Sequence, residues 1–275
     1  MLLVFDAPGM RVLVCVAREP ALEAARRHQL AAGSAAALAQ AMTGALLLAG
    51  HDQTRVDVQL ECNGPLRGLL VDAEPDGAVR GLVRVADLGA PSGRFDARPI
   101  LASPHDERAG RISILRAHAD RAAFPFAGAD IGAALTLFLR NDRAAGGEMA
   151  LEVLLRDGEP IPAGVLLAPL SEDDSENVRA FGKPMRQRIL REAMADDAHA
   201  LAARLPFGPL RLISEITPHF ACRCSRDRVI NALKTLGPAE LRDMAEKDAG
   251  ADLTCDFCSA SYRIDADELL RLASR

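Results

Sequence analysis

The apolar positions of the first 170 residues fall mostly in short runs that end at turn residues. LLVFDA and MRVLVCVARE flank an Ala7-Pro8-Gly9 turn and predict two strands. RVDVQLEC alternates strictly, with Val56, Val58, Leu60 and Cys62 on one face and Asp57, Gln59 and Glu61 on the other. That is the pattern of a half-buried antiparallel strand. LRGLLVDAEPDGAVRGLVRV predicts a hairpin turning at Asp76-Gly77, and EMALEVLLRDGEPIPAGVLLAPL a second strand pair around Asp157-Gly158. RISILRAH also reads as a strand. Helical spacing marks ALEAARRHQL, SAAALAQAMTGALLLAG and ADIGAALTLFLRND, with Ser34 as the N-cap of the second and Gly50 as its C-terminal stop. Gly89 to Gly110 is rich in Pro, Gly and Ser and reads as a loop.

These strands and helices do not alternate as βαβ units, so the expected fold class is α+β, with antiparallel sheet and helices in one N-terminal domain. The texture changes after Leu170. SEDDSEN is acidic and carries no apolar residue. A helix-period segment then runs from Pro184 to Leu205, with Met185, Ile189, Ala193, Leu201 and Leu205 on one stripe. Pro184 suits its first turn and Pro206 its end. RLISEITPHF looks extended. The expected organisation is a domain over 1–170, a linker with an amphipathic helix over 171–218, and a small C-terminal domain over 219–275.

Composition removes several classes of function. A formal charge of −5 over 275 residues gives no basic field for a nucleic-acid backbone. The N-terminus reaches Asp6 too early and lacks the basic start of a signal peptide. Ala31 to Gly50 is uncharged, but Ser34, Gln40, Thr43 and three glycines make it a better buried helix than a membrane span. The expectation is therefore a cytoplasmic protein in a reducing compartment, where cysteines stay as thiols or hold metal.

Four of the six cysteines fall in the last 54 residues. Cys222-Arg223-Cys224 and Cys255-Asp256-Phe257-Cys258 are separated by thirty residues, and ELRDMAEKD within that insert looks helical. Two short-spaced pairs on distant arms are the usual way to close a tetrahedral zinc site, since each pair supplies two sulfurs from one turn of backbone. Spacing alone leaves open whether such a site is purely structural or responsive to redox. A thioredoxin-like pair at Cys255 and Cys258 would need a strand–helix context that is missing. His219 reads as a surface or turn residue, and Cys15 and Cys62 as small buried hydrophobes on strand faces. No G-x-S-x-G, P-loop or G-x-G-x-x-G occurs, and four thiolates leave no open coordination position, so the chain is not expected to be an enzyme.

With these residues in place the tail HFACRCSRDRVINALKTLGPAELRDMAEKDAGADLTCDFCSASYRI resembles the zinc-binding tail of the heat shock protein 33 family, redox-regulated bacterial chaperones. The likeness includes Ser225-Arg226 after C-x-C, Gly237 after a helix reaching Leu233 to Leu236, and Tyr262 four residues past C-x-x-C. LLVFDAPGMRVLVCVA, DVQLECNGPLRGLLVDAEPDGAVRGLVRV and GGEMALEVLLRDGEPIPAGVLLAPL are similar to its N-terminal domain. Ser103 to Gly147 departs from it: TLFLRNDRAAGG stands where the family carries an aromatic-rich helix ending in Ser-Glu.

The resemblance implies a reduced, inactive state with one zinc on Cys222, Cys224, Cys255 and Cys258. It also implies an oxidised, zinc-free, active state with disulfides Cys222–Cys224 and Cys255–Cys258. The active form would be an ATP-independent holdase for unfolding or oxidatively damaged client proteins, with a tendency to dimerise.

Physics allows such a switch. A tail of this size builds a core of only about 3–5 kcal/mol, whereas structural zinc binds with about 10–16 kcal/mol that counts as folding energy. Disulfides that close loops of one or two residues replace almost none of that long-range constraint. The stripe of Met185, Ile189, Leu201 and Leu205 is expected to pack on the N-terminal domain at rest and to come free with the tail.

Overall fold

The structure is a computed structural model. It describes every residue except 104–107, 118–120, 128–129, 142–145, 183–196, 207 and 275, and the side chains of 108, 109 and 127. The chain divides into two compact units, Met1–Ala221 and Cys222–Arg275.

The larger unit opens with β1 (Leu2–Ala7) and β2 (Met10–Val16), then α1 (Arg18–His28) and α2 (Ala32–Asp52). A run of strands follows: β3 (Val56–Cys62), β4 (Gly68–Ala73), β5 (Ala78–Val83) and the short β6 (Gly93–Arg94). Next come α3 (Arg98–Leu101), β7 (Arg108–Arg116), β8 (Ala122–Ala127), α4 (Ile131–Asn141), β9 (Glu148–Arg156) and β10 (Glu159–Pro169). Residues 175–182 are helical (α5). The unit closes with α6 (Ala198–Ala202), β11 (Arg211–Ile216) and β12 (His219–Phe220).

Two six-stranded sheets result, ordered β11-β1-β2-β10-β9-β6 and β12-β5-β4-β3-β7-β8. Every pairing in them is antiparallel except β12 on β5. The α+β expectation holds. Leu13, Leu46, Val58, Val71, Ile112 and Leu166 meet in one core, in which α2 packs against strands of both sheets. Alanine and glycine let α2 lie this close. A Cβ at Gly164 would stand 2.8 Å from Leu47 Cδ1 and 2.9 Å from Thr43 Cγ2. α2 is long and apolar enough to cross a membrane by length and composition, but 94% of that stretch is buried in the protein.

The ends of α2 differ from expectation. Ala31 is the N-cap, and the helix continues past Gly50 to Gln53, which turns left-handed at φ 51°. Ser34 lies inside the first turns and is fully buried. Its hydroxyl donates to Val85 O at 2.9 Å and accepts from the Leu88 N–H at 3.3 Å, so it clips a loop onto the helix instead of capping it. The supposed loop from Gly89 to Gly110 contains β6 and α3. β8, AAFPFA, carried no clear strand signal because its Pro125 interrupts the run.

The outer face of the first sheet has its own cluster. Leu3, Phe5, Val12, Val14 and Val165 pack with Val178 of α5 and with Ala198, Leu201 and Leu205 in and after α6. Two of the five stripe residues, Leu201 and Leu205, are therefore buried on the domain. Met185, Ile189 and Ala193 lie outside the described residues, as does most of the helix expected over Pro184 to Leu205. Its described end is not a continuation: α6 starts afresh at Asp197, whose carboxylate accepts from the His199 N–H at 2.9 Å. The acidic segment forms one 3₁₀ turn at Glu172–Asp174 and the start of α5.

The smaller unit holds α7 (Arg226–Lys234), α8 (Pro238–Lys247), β13 (Gly250–Thr254), β14 (Ser261–Asp265) and α9 (Ala266–Ala273). Its core is thin: Leu233, Leu241, Ile264 and Leu269 are the large side chains among seven buried ones.

Candidate metal centre

Each cysteine pair is held by a short local device. Cys222 and Cys224 follow β12 directly, and Ser225 then caps α7 by accepting from the Arg228 N–H at 3.3 Å. Cys255 and Cys258 form the turn of the β13–β14 hairpin. The Cys255 N–H donates to Ala260 O at 2.9 Å, and the Ser259 N–H donates to Cys255 O at 2.8 Å. Ser259 sits at φ 58°, which closes the turn and starts β14.

These devices bring together the four sulfurs the spacing pointed to. One sulfur from each of Cys222, Cys224, Cys255 and Cys258 lies within 4.8 Å of all the others. Close sulfur contacts cross between the arms: Cys222 to Cys255 at 3.7 Å and Cys224 to Cys258 at 3.3 Å. Four sulfurs about 2.3 Å from one centre at tetrahedral angles would stand about 3.8 Å apart, so the set has the size of a tetrahedral four-thiolate site. None of the six cysteines forms a disulfide, and these contacts are far longer than a disulfide of about 2.05 Å.

Electrostatics point the same way. Burial pushes the Cys258 thiol up to about 12, and the three neighbouring thiols add to it. Burial likewise raises Cys255, against backbone N–H donors at Phe257 and Cys258 that favour its thiolate. Four close thiolates repel one another, and only a cation at their centre lets all four carry charge together. The donor set, all sulfur, suits zinc.

Two residues that the sequence reading named without assigning a role stand at the site. The Tyr262 hydroxyl donates to Cys224 Sγ at 3.0 Å, linking β14 to the other cysteine arm. That bond, with burial behind it, pushes the tyrosine up to about 12. Tyr262 is the chain's single tyrosine, and its place four residues past C-x-x-C was the available signal. Arg226 donates to Arg263 O at 2.8 Å and pairs with Glu268, tying the start of α7 to β14 and α9. Nothing in its spacing announced that.

The remaining candidates stay outside the cluster. His219 is exposed on β12, with Nδ1 3.2 Å from Thr217 O. Cys15 is fully buried, and desolvation pushes it up to about 12. Cys62 is buried and raised for the same reason. Both act as core residues.

Fold and site together define an α+β protein with a small thiol-clustered C-terminal unit. Comparison with known proteins makes the class specific. The model of the family described as Hsp33 protein matches residues 2–265, and the chain belongs to the Hsp33 family. Relatives named 33 kDa chaperonin include those of Gloeobacter violaceus and Rippkaea orientalis. The first is 31% identical over 278 residues, covering 92% of this chain and 88% of the relative. The second is 32% identical over 285 residues, covering 96% and 92%. The crystal structure of a 33 kDa chaperonin, a heat shock protein 33 homologue from Thermotoga maritima, matches with a TM-score of 0.73 at 19% identity. It covers 99% of this chain and 97% of its own and speaks to the fold alone.

Proposed function

We propose that the chain is a redox-regulated, ATP-independent holdase chaperone of the cytoplasm, held inactive by zinc on Cys222, Cys224, Cys255 and Cys258. The observation that carries this reading is the convergence of four thiols from two arms thirty residues apart, in a unit with few large buried side chains, in a chain of the Hsp33 family. When bound, zinc supplies the divalent charge that keeps the sulfurs as thiolates, and its binding energy of about 10–16 kcal/mol folds the unit. The cysteines carry the sensing. Each pair, 222 with 224 and 255 with 258, gives two electrons to one hydrogen peroxide, forming one S–S bond and, with two protons taken from solvent, two waters. The new bonds staple only within an arm, so the two arms are no longer joined.

The N-terminal domain over 1–170 then offers apolar surface to unfolding or damaged proteins. The linker over 171–218 covers that surface at rest, and the zinc domain over 219–275 keeps the linker in place. Leu201 and Leu205, buried against Phe5 and Val14, support this role for the linker. The active form is expected to dimerise.

The test is zinc release by peroxide with mild heating, run beside light scattering of a thermally unfolding client. Release together with suppressed scattering supports the reading. Zinc that stays bound while scattering is unaffected would leave a constitutive interaction protein with a purely structural metal site.

A further inference from the structure

The Tyr262 hydroxyl reaches across the hairpin to a sulfur 38 positions away in sequence, at 3.0 Å. The sulfurs of the C-x-x-C arm are served differently. Cys255 takes backbone N–H donors from Phe257 and Cys258, and Cys258 one from Ala260, all supplied by the turn itself. Those donors come with the fold of the turn and cannot be removed by a side-chain change. Cys224 instead takes a donor from a side chain of the opposite arm. Tyr262 is fixed for this by its strand: it pairs with Leu253 on β13, which sets its direction from a hairpin that also carries Cys255 and Cys258.

We infer that Tyr262 is a positioning residue for Cys224, whose hydroxyl orients that sulfur toward the centre of the cluster and restrains its reaction with oxidants. This rests on the reading of the four thiols as the zinc-holding, oxidant-sensitive set. An O–H donor to a thiolate is a charge-assisted hydrogen bond and draws electron density from the sulfur lone pairs. A sulfur so engaged is a weaker nucleophile toward peroxide, and one lone-pair direction is already occupied. The same bond holds the ligand in the orientation a metal needs, as partners of metal ligands generally do. Because donor and acceptor belong to different arms, the restraint lasts only while the arms are together.

The experiment uses the full reduced chain and Tyr262→Phe, loaded in turn with zinc and with cobalt(II). Loss of the hydroxyl is expected to weaken zinc about tenfold in competition with a chelator, within the range seen when such partners are removed. Peroxide should release zinc several-fold faster. In the cobalt form the sulfur-to-metal charge-transfer band should move to lower energy while the d–d bands, which report tetrahedral geometry, stay in place. A loss of packing alone would not produce that split.

A second variant pushes the other way and does not depend on tolerance of phenylalanine. With 3,5-difluorotyrosine at 262, a stronger donor, the band should move to higher energy and release should slow. If neither variant moves the charge-transfer band or the release rate, Tyr262 has no such role. These readouts concern the metal in the reduced protein. A wild-type chain that failed to protect clients would sink the chaperone reading and leave this one standing.

Discussion

The guanidinium of Arg27 lies over the ring of Phe220, 5.1 Å from its centroid. Phe220 is half-buried against the main core and sits two residues before Cys222. Around it the His219 N–H donates to Gly77 O at 2.9 Å and the Ala221 N–H to Val79 O at 3.0 Å. The first cysteine arm therefore leaves the domain from a strand that is pinned by backbone, ring and cation together. β12 is only two residues long, so its side-chain anchor matters more than it would for a longer strand.

Phe220→Ala should loosen this anchor, costing about 1–3 kcal/mol locally, below the 3–5 of a fully buried phenylalanine. The amides of His219 and Ala221 should then exchange faster in the reduced, zinc-bound protein, while those of Leu13 and Val14 on β2 stay protected. Equal protection at 219 and 221 in both proteins would show that Phe220 does not hold β12.

Stripping zinc with a chelator under reducing conditions should unfold Cys222–Arg275 while the sheets of the larger unit persist. Its buried side chains, mainly Leu233, Leu241, Ile264 and Leu269, are too few to hold three helices and a hairpin. Far-ultraviolet circular dichroism should lose the signal of α7 to α9, and added zinc should restore it. A metal-free tail that kept its helices would mean that packing, with Arg226 and Tyr262 as cross-links, is enough.

Much of this was open to reading in the chain, for reasons that differ by element. The hairpins at Asp76-Gly77 and Asp157-Gly158 were legible because turn residues and alternation agree there. The clustering of the four cysteines was legible because C-x-C and C-x-x-C each place two sulfurs on one short stretch of backbone. Ser34 misled because a serine before an apolar run reads as a cap, whereas a loop fifty residues on claims its hydroxyl. The partners of Tyr262 and Arg226 and the Arg27–Phe220 contact depend on residues brought together by tertiary structure: spacing from C-x-x-C could mark Tyr262 but not its partner.

A cross-arm disulfide should behave oppositely to the proposed native pairs. Cys224 and Cys258 are 3.3 Å apart between sulfurs. In a chain carrying Cys222→Ser and Cys255→Ser, oxidation would join them and close a loop of over thirty residues, a constraint of about 4 kcal/mol on the unfolded chain. That variant should stay folded over 222–275 and fail to suppress client aggregation after peroxide. Full activity in the bridged form would show that separating the arms is not what activates the protein.

The facing carboxylates of β3 and β4 should respond unequally to removal. Asp57 and Asp72 are direct cross-strand partners, and Arg55 bonds both. Burial pushes Asp72 up, but its hydrogen bonds, those from Arg80 and Arg55 among them, outweigh it and hold its carboxyl below the usual range. Burial and the neighbouring Asp72 push Asp57 above its own. A lowered carboxylate contributes stability above its unfolded value and loses it as pH falls through the folded one. A raised one works in reverse. Asp72→Asn should thus cost about 3 kcal/mol at pH 7, as expected when a buried pair is broken. The deficit should shrink toward pH 3. Asp57→Asn should cost little or stabilise, since it relieves like charges placed opposite each other. Urea midpoints at both pH values decide it, and equal losses would refute the asymmetry.

Leu201 offers a way to separate covering from sensing. It is fully buried on the outer face of the first sheet with Leu3, Phe5, Val12 and Val14, in a helix of five residues, too short to hold without such packing. Leu201→Ala removes about 2–5 kcal/mol of that attachment, and Leu201→Ser removes more by adding an unpaired hydroxyl. Neither change touches the four cysteines. If the linker's role is to cover a client surface, the serine variant should suppress aggregation while reduced and should keep its zinc throughout. Exchange should rise at Ala198–Leu205 but not at Cys255–Tyr262. A variant with α6 displaced, zinc retained and no protection of clients would place client binding elsewhere on the molecule. Protection that required zinc loss even with α6 displaced would assign the controlling cover to the C-terminal unit instead.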